Sequence, residues 1–90
     1  MTMTKTVHRT TIVAQCPHGG VDVYQTEFHV GNRTVTVESI QTVIDAVVKN
    51  PVYQEDLTRQ LANTLNCEVV TLGSHGRFQT ECHAVAEALP

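Results

Sequence analysis

Ninety residues, 41% hydrophobic and 17% charged, are enough for one hydrophobic core and too few for two, and this composition does not suit a disordered tail. Nine acidic against six basic residues give a formal charge of −3; Lys5, Arg9, Arg33, Lys49, Arg59 and Arg77 are scattered singly, which disfavours a tight phosphate-dominated grip on nucleic acid unless oligomerisation gathers the arginines on one face. No stretch approaches the roughly 20 apolar residues that span a bilayer, and Met1 to Thr6 lacks a signal-peptide hydrophobic region, so a single cytoplasmic domain over residues 1–90 with no membrane partner is expected.

From Lys5 to Gln15 the chain is rich in Thr, Val and Ile, which predicts a strand that Cys16-Pro17-His18-Gly19-Gly20 turns. From Val21 to Val30, Tyr24, Phe28 and Val30 share one parity and Gln25, Glu27 and His29 the other, as in a strand with one buried face paired to the first in a hairpin. Gly31-Asn32 is a second turn. Beyond it Ile40, Val43, Ile44, Val47 and Val48 fall on one helix face. Asn50-Pro51 ends that helix, and the pair also suits the start of the next, with Asn as cap and Pro in the first turn. Leu57, Leu61 and Leu65 then mark the core stripe of a second helix, with Glu55 and Asp56 near its positive end. Cys67 to Leu72 and Arg77 to Ala84 read as two closing strands around a loop, Gly73-Ser74-His75-Gly76. The predicted class is therefore α+β, in the order ββααββ, an antiparallel four-stranded sheet with both helices on one face.

Three cysteines, Cys16, Cys67 and Cys82, are an odd number without framework spacing, which in a reducing compartment means free thiols. Cys16 lies in a Gly/Pro turn whose backbone amides can point at a thiolate, and Asp22 follows closely as a proton donor, the minimum for covalent attack on an electrophilic carbon. The same position suits a small turn residue packed against the hairpin. Glu38 at the entrance of the first helix and Glu55 at the start of the second can accept paired hydrogen bonds from a guanine-like N–H edge, or can simply favour the helix dipole. Cys16, His18, His29, Cys67, His75, Cys82 and His83 invite a zinc reading, but the spacing lacks the twice-repeated ligand pairs of a structural site, and Cys82 and His83 must face opposite sides of a strand. His75 is either a proton donor or a solvated loop residue. No phosphate-binding or dinucleotide fingerprint is present.

Taken in order, Cys16-Pro17, Gly20-Val21-Asp22, Val37-Glu38-Ser39 and Gln54-Glu55-Asp56, followed by a final two-stranded segment, resemble the tunnelling-fold (T-fold) enzymes that act on the nitrile of 7-cyano-7-deazaguanine. That family comprises NADPH-dependent nitrile reductases of queuosine biosynthesis and the smaller QueF-like amidinotransferases that make archaeosine in tRNA. The resemblance implies that Cys16 is the nucleophile, Asp22 the proton donor, and Glu38, Ser39 and Glu55 the base-binding residues. It also implies a homo-oligomer with sites between subunits, Glu55 facing Cys16 of an adjacent chain. Gln54 stands where the family has His, and Ile40 to Val43 contain none of the lysines that the reductases carry for their nicotinamide cofactor. The resemblance thus points to amidine formation on a 7-deazaguanine base, free or in tRNA, with no cofactor. NADPH enters only under the reductase alternative. A non-catalytic purine-binding or structural T-fold protein is the other reading.

Overall fold

A computed structural model describes residues 2–86. The elements run β1 (Thr6–Gln15), β2 (Val21–Gly31), α1 (Val37–Val47), α2 (Gln54–Leu65), β3 (Glu68–His75) and β4 (Phe78–Ala84). The four strands form one antiparallel sheet in the order β1-β2-β3-β4, so both helices lie in the connection between two neighbouring strands. This is the ββααββ arrangement expected from the sequence. Among the described residues no helix is long and apolar enough to cross a membrane.

Alternation decides which face of the sheet is buried. Tyr24, Thr26, Phe28 and Val30 on β2 point to the helices, as do Ile12 and Ala14 on β1 and Val69 and Thr71 on β3. Ile40 and Ile44 of α1 and Leu57, Leu61 and Leu65 of α2 close the core from above. Each fully buried aliphatic or aromatic side chain here contributes on the order of 1.5–3 kcal/mol. Among the described residues no helix covers the opposite face, with Arg9, Thr11, Gln25, Glu27, Val70, Leu72 and Glu81.

Glu38 stands in the first turn of α1 as expected, and two other boundaries, the start of α2 and the last hairpin turn, differ from the sequence reading. Helix α1 starts with a Thr36 cap: the Ser39 N–H donates to Thr36 Oγ1 at 3.2 Å, and the Ser39 hydroxyl donates to the Thr36 carbonyl at 2.8 Å. Helix α2 begins at Gln54 rather than at Asn50-Pro51, and its flanking residue Tyr53 offers no side-chain cap. Asn50 and Pro51 instead belong to the linker between the helices, which the Val52 N–H ties to the Gln15 carbonyl at 3.0 Å, beside Cys16. Strand β3 continues through Gly73 to His75, and the hairpin turn is only Gly76-Arg77, with φ +61° at Gly76 as a type II′ turn asks of its first central residue.

Helix α2 ends on Asn66 in the left-handed region at φ 52°, a conformation asparagine tolerates, and its N–H returns to the Ala62 carbonyl. The Arg33 guanidinium donates to the Leu65 carbonyl at 3.0 Å and to the Asn66 carbonyl, placing a cation on the negative end of the helix.

Gly73 misled the sequence reading for a physical reason. A Cβ there would stand 2.5 and 2.6 Å from two carbons of the buried Tyr24 ring, so the glycine serves close packing rather than a turn. Gly73→Ala is expected to lower unfolding stability by about 1–3 kcal/mol through displacement of that ring, read as a shift of the urea midpoint at unchanged slope. A midpoint equal to that of the parent would show that the ring is free to move aside.

Candidate functional site

Five-residue loop Cys16–Gly20 joins β1 to β2 and is held by two bonds: the Cys16 N–H donates to the Gly20 carbonyl at 3.0 Å and the Gly19 N–H to the Cys16 carbonyl at 2.9 Å. Gly19 and Gly20 sit at φ +101° and +82°, where a side chain would be strained. The amides of Cys16 and Gly19 are therefore used inside the loop rather than on the thiol.

A cavity of about 280 Å³ opens beside this loop, near the lower end of the range for small-molecule sites. Its walls are Cys16, His18, Asp22, Tyr24, Tyr53, Gln54, Glu55, His75 and Thr80. Cys16, Asp22 and Glu55, read from three separate stretches of sequence, thus meet at one place within a single chain. Glu55 does not need a neighbouring copy to reach the cavity of Cys16. Glu38 and Ser39 are not among the wall residues: both lie in the first turn of α1, where Ser39 completes the Thr36 cap and Glu38 is exposed.

Asp22 and Tyr24 reach the cavity because they are two apart on β2 and share its inner face. The phenol of Tyr24 donates to Asp22 Oδ2 at 3.2 Å. Burial pushes the Tyr24 phenol well above its ordinary range, reinforced by the Asp22 carboxylate and its hydrogen bond, then by the charges of Cys16 and Glu55. A phenol so placed stays protonated and keeps donating, which leaves Oδ1 of Asp22 as the oxygen available for proton traffic.

Beneath the cavity Gln54, 2% exposed, makes a fully directed hydrogen-bond ring. Its Nε2 donates to the Thr80 carbonyl at 2.9 Å, the Thr71 carbonyl at 3.2 Å and Thr71 Oγ1 at 3.1 Å. The Thr58 hydroxyl donates to the Gln54 carbonyl at 2.7 Å, so the Thr71 hydroxyl supplies the proton of the 2.7 Å contact between the two threonines. Main-chain carbonyls cannot donate, which fixes the amide orientation and turns Oε1 to His75 Nε2 at 2.7 Å. At the rim Tyr53 and His18 pair through a 2.9 Å contact between the phenol oxygen and Nε2, with ring centroids 5.5 Å apart.

The other two thiols sit apart. Burial pushes Cys67 up, and burial together with the Glu55 carboxylate pushes Cys82 up, so both are held towards the unreactive thiol. Cys82 Sγ lies 4.0 Å from Glu55 Oε1, in a separate recess with Thr58 and Arg59. The metal candidates do not gather: among the described residues no group of three or more His, Cys, Asp or Glu side chains could hold an ion.

Tyr24, Tyr53, His18 and Thr80 were not read as parts of this cavity from the sequence. Only Tyr24 carried a usable signal there, its shared parity with Asp22. The walls include two carboxylates and no lysine or arginine, so the cavity favours a ligand edge rich in N–H donors. No protein-family model, no curated protein and no solved structure matches the chain.

Proposed function

We propose that the chain is a 7-deazaguanine nitrile-modifying enzyme that captures its substrate as a thioimide on Cys16 and releases an amidine. The observation that carries this reading is the meeting of Cys16, Asp22 and Glu55 on one cavity. Glu55 accepts the N–H edge of the base, and the nitrile carbon lies against Sγ. Asp22 Oδ1 takes the thiol proton as the S–C bond forms and one C≡N π pair moves to the nitrile nitrogen, and it then passes the proton to that nitrogen. Ammonia then adds to the thioimide carbon, the C–S bond breaks, and the amidine leaves with the thiol restored. The base enters free or within RNA.

Incubation with 7-cyano-7-deazaguanine is expected to add the mass of one base per chain in the intact-mass spectrum, and Cys16→Ala to abolish that gain while leaving circular dichroism unchanged. An adduct that survives in Cys16→Ala, or one removed by Cys82→Ala, assigns the nucleophile elsewhere.

A homo-oligomer belongs to the same reading. Among the described residues the outer edges of β1 and β4 have no partner strand, and open edges in small sheets are ordinarily covered or paired. Because Cys16 and Glu55 share a cavity in one chain, the residue that a neighbouring copy supplies is Glu38. Inactive Cys16→Ala and Glu38→Ala chains are expected to regain partial turnover when refolded together, whereas Cys16→Ala mixed with Glu55→Ala is not. A monomer by light scattering, or rescue by the second mixture alone, contradicts this arrangement.

A further inference from the structure

We infer that His75 is the general base of the second half-reaction, with Nδ1 as its working nitrogen and Gln54 as the residue that sets this. The inference rests on the thioimide reading. His75 stands at the last position of β3, before the Gly76-Arg77 turn, and its ring forms part of the cavity wall. Which ring nitrogen carries the proton is decided from below. The Gln54 amide gives its N–H groups to the Thr71 and Thr80 carbonyls, so the atom 2.7 Å from His75 Nε2 is an acceptor. Nε2 therefore holds a hydrogen and, in the neutral imidazole, Nδ1 holds a lone pair. Gln54 is buried and anchored to two strands, so the acceptor that faces Nε2 is itself fixed in place.

Asp22 cannot fill this role as well, because its Oδ2 is engaged by Tyr24 and its Oδ1 serves the nitrile nitrogen in the first step. In the second step the nitrogen of ammonia bonds to the thioimide carbon as the C=N π pair moves to the imine nitrogen. His75 Nδ1 takes a proton from the attacking nitrogen. The C=N bond re-forms, the C–S bond breaks with its pair leaving on sulfur, and His75 returns the proton to the Cys16 thiolate. Nitrile and ammonia become an amidine with no oxidant or reductant.

Two measurements test this. Long-range 1H–15N correlation on the protein without ligand is expected to show the His75 imidazole as the Nε2–H tautomer; the Nδ1–H tautomer overturns the assignment. In the presence of 7-cyano-7-deazaguanine and ammonium, His75→Asn is expected to form the Cys16 adduct as the parent does, to accumulate it, and to release amidine about 100-fold more slowly. Adduct formation itself shows that the variant is folded. A variant that forms the adduct and turns over at the parent rate overturns the role of His75 alone. A parent that forms no adduct overturns the thioimide reading and this step with it.

Discussion

One buried amide holds the cavity together. Gln54 is the first residue of α2, yet its side chain reaches down to carbonyls on both β3 and β4 and outwards to His75. A polar group at this depth costs about 1–3 kcal/mol when left without partners, so the geometry that satisfies every member of the ring is strongly preferred over its neighbours. That preference fixes where α2 begins relative to the sheet, and with it the position of Glu55 one residue on. Among the described residues no buried side-chain nitrogen or oxygen lacks a partner, which is what a single well-defined arrangement requires.

The second constraint comes from the other side of the cavity. Tyr24 is almost fully buried, held under Gly73 and bonded to Asp22, while the Val52 N–H pins the α1–α2 linker to the end of β1. The Cys16 loop, the Asp22 carboxylate and the start of α2 are thereby referred to one rigid framework. The residues proposed to do chemistry contribute little to that framework, and those that build it (Gln54, Tyr24, Thr58, Thr71) contact the ligand space only at its walls or not at all.

Periodicity made the fold legible. The parity of Tyr24, Phe28 and Val30 and the helical spacing of Ile40, Ile44, Leu57 and Leu61 report burial directly, and these residues form the core. Where the sequence misled, a local signal was overridden by a tertiary contact. Asn50-Pro51 has the chemistry of a helix start, but the Val52 bond to β1 holds the residues after it outside the helix and delays α2 to Gln54. Gly73 looks like a turn residue because the ring it accommodates lies on a strand nearly fifty positions away. Cys16, Asp22 and Glu55 could be picked out by residue type and by the resemblance to the nitrile enzymes, and their convergence needed the register of β1 with β2 and the placement of α2. The partnership of Gln54 with His75 had no linear signature, since neither residue type nor spacing of 21 announces a hydrogen bond.

The central claim is that the cavity beside Cys16 receives a guanine-like base, and competition for the thiol tests it most directly. Alkylation of Cys16 by iodoacetamide, followed by peptide mapping, is to be compared with and without 7-deazaguanine, which presents the same N–H edge but has no nitrile to react. The account predicts that the base slows modification of Cys16 in a saturable manner and leaves Cys82 unaffected. Equal rates at Cys16 with and without the base would contradict it.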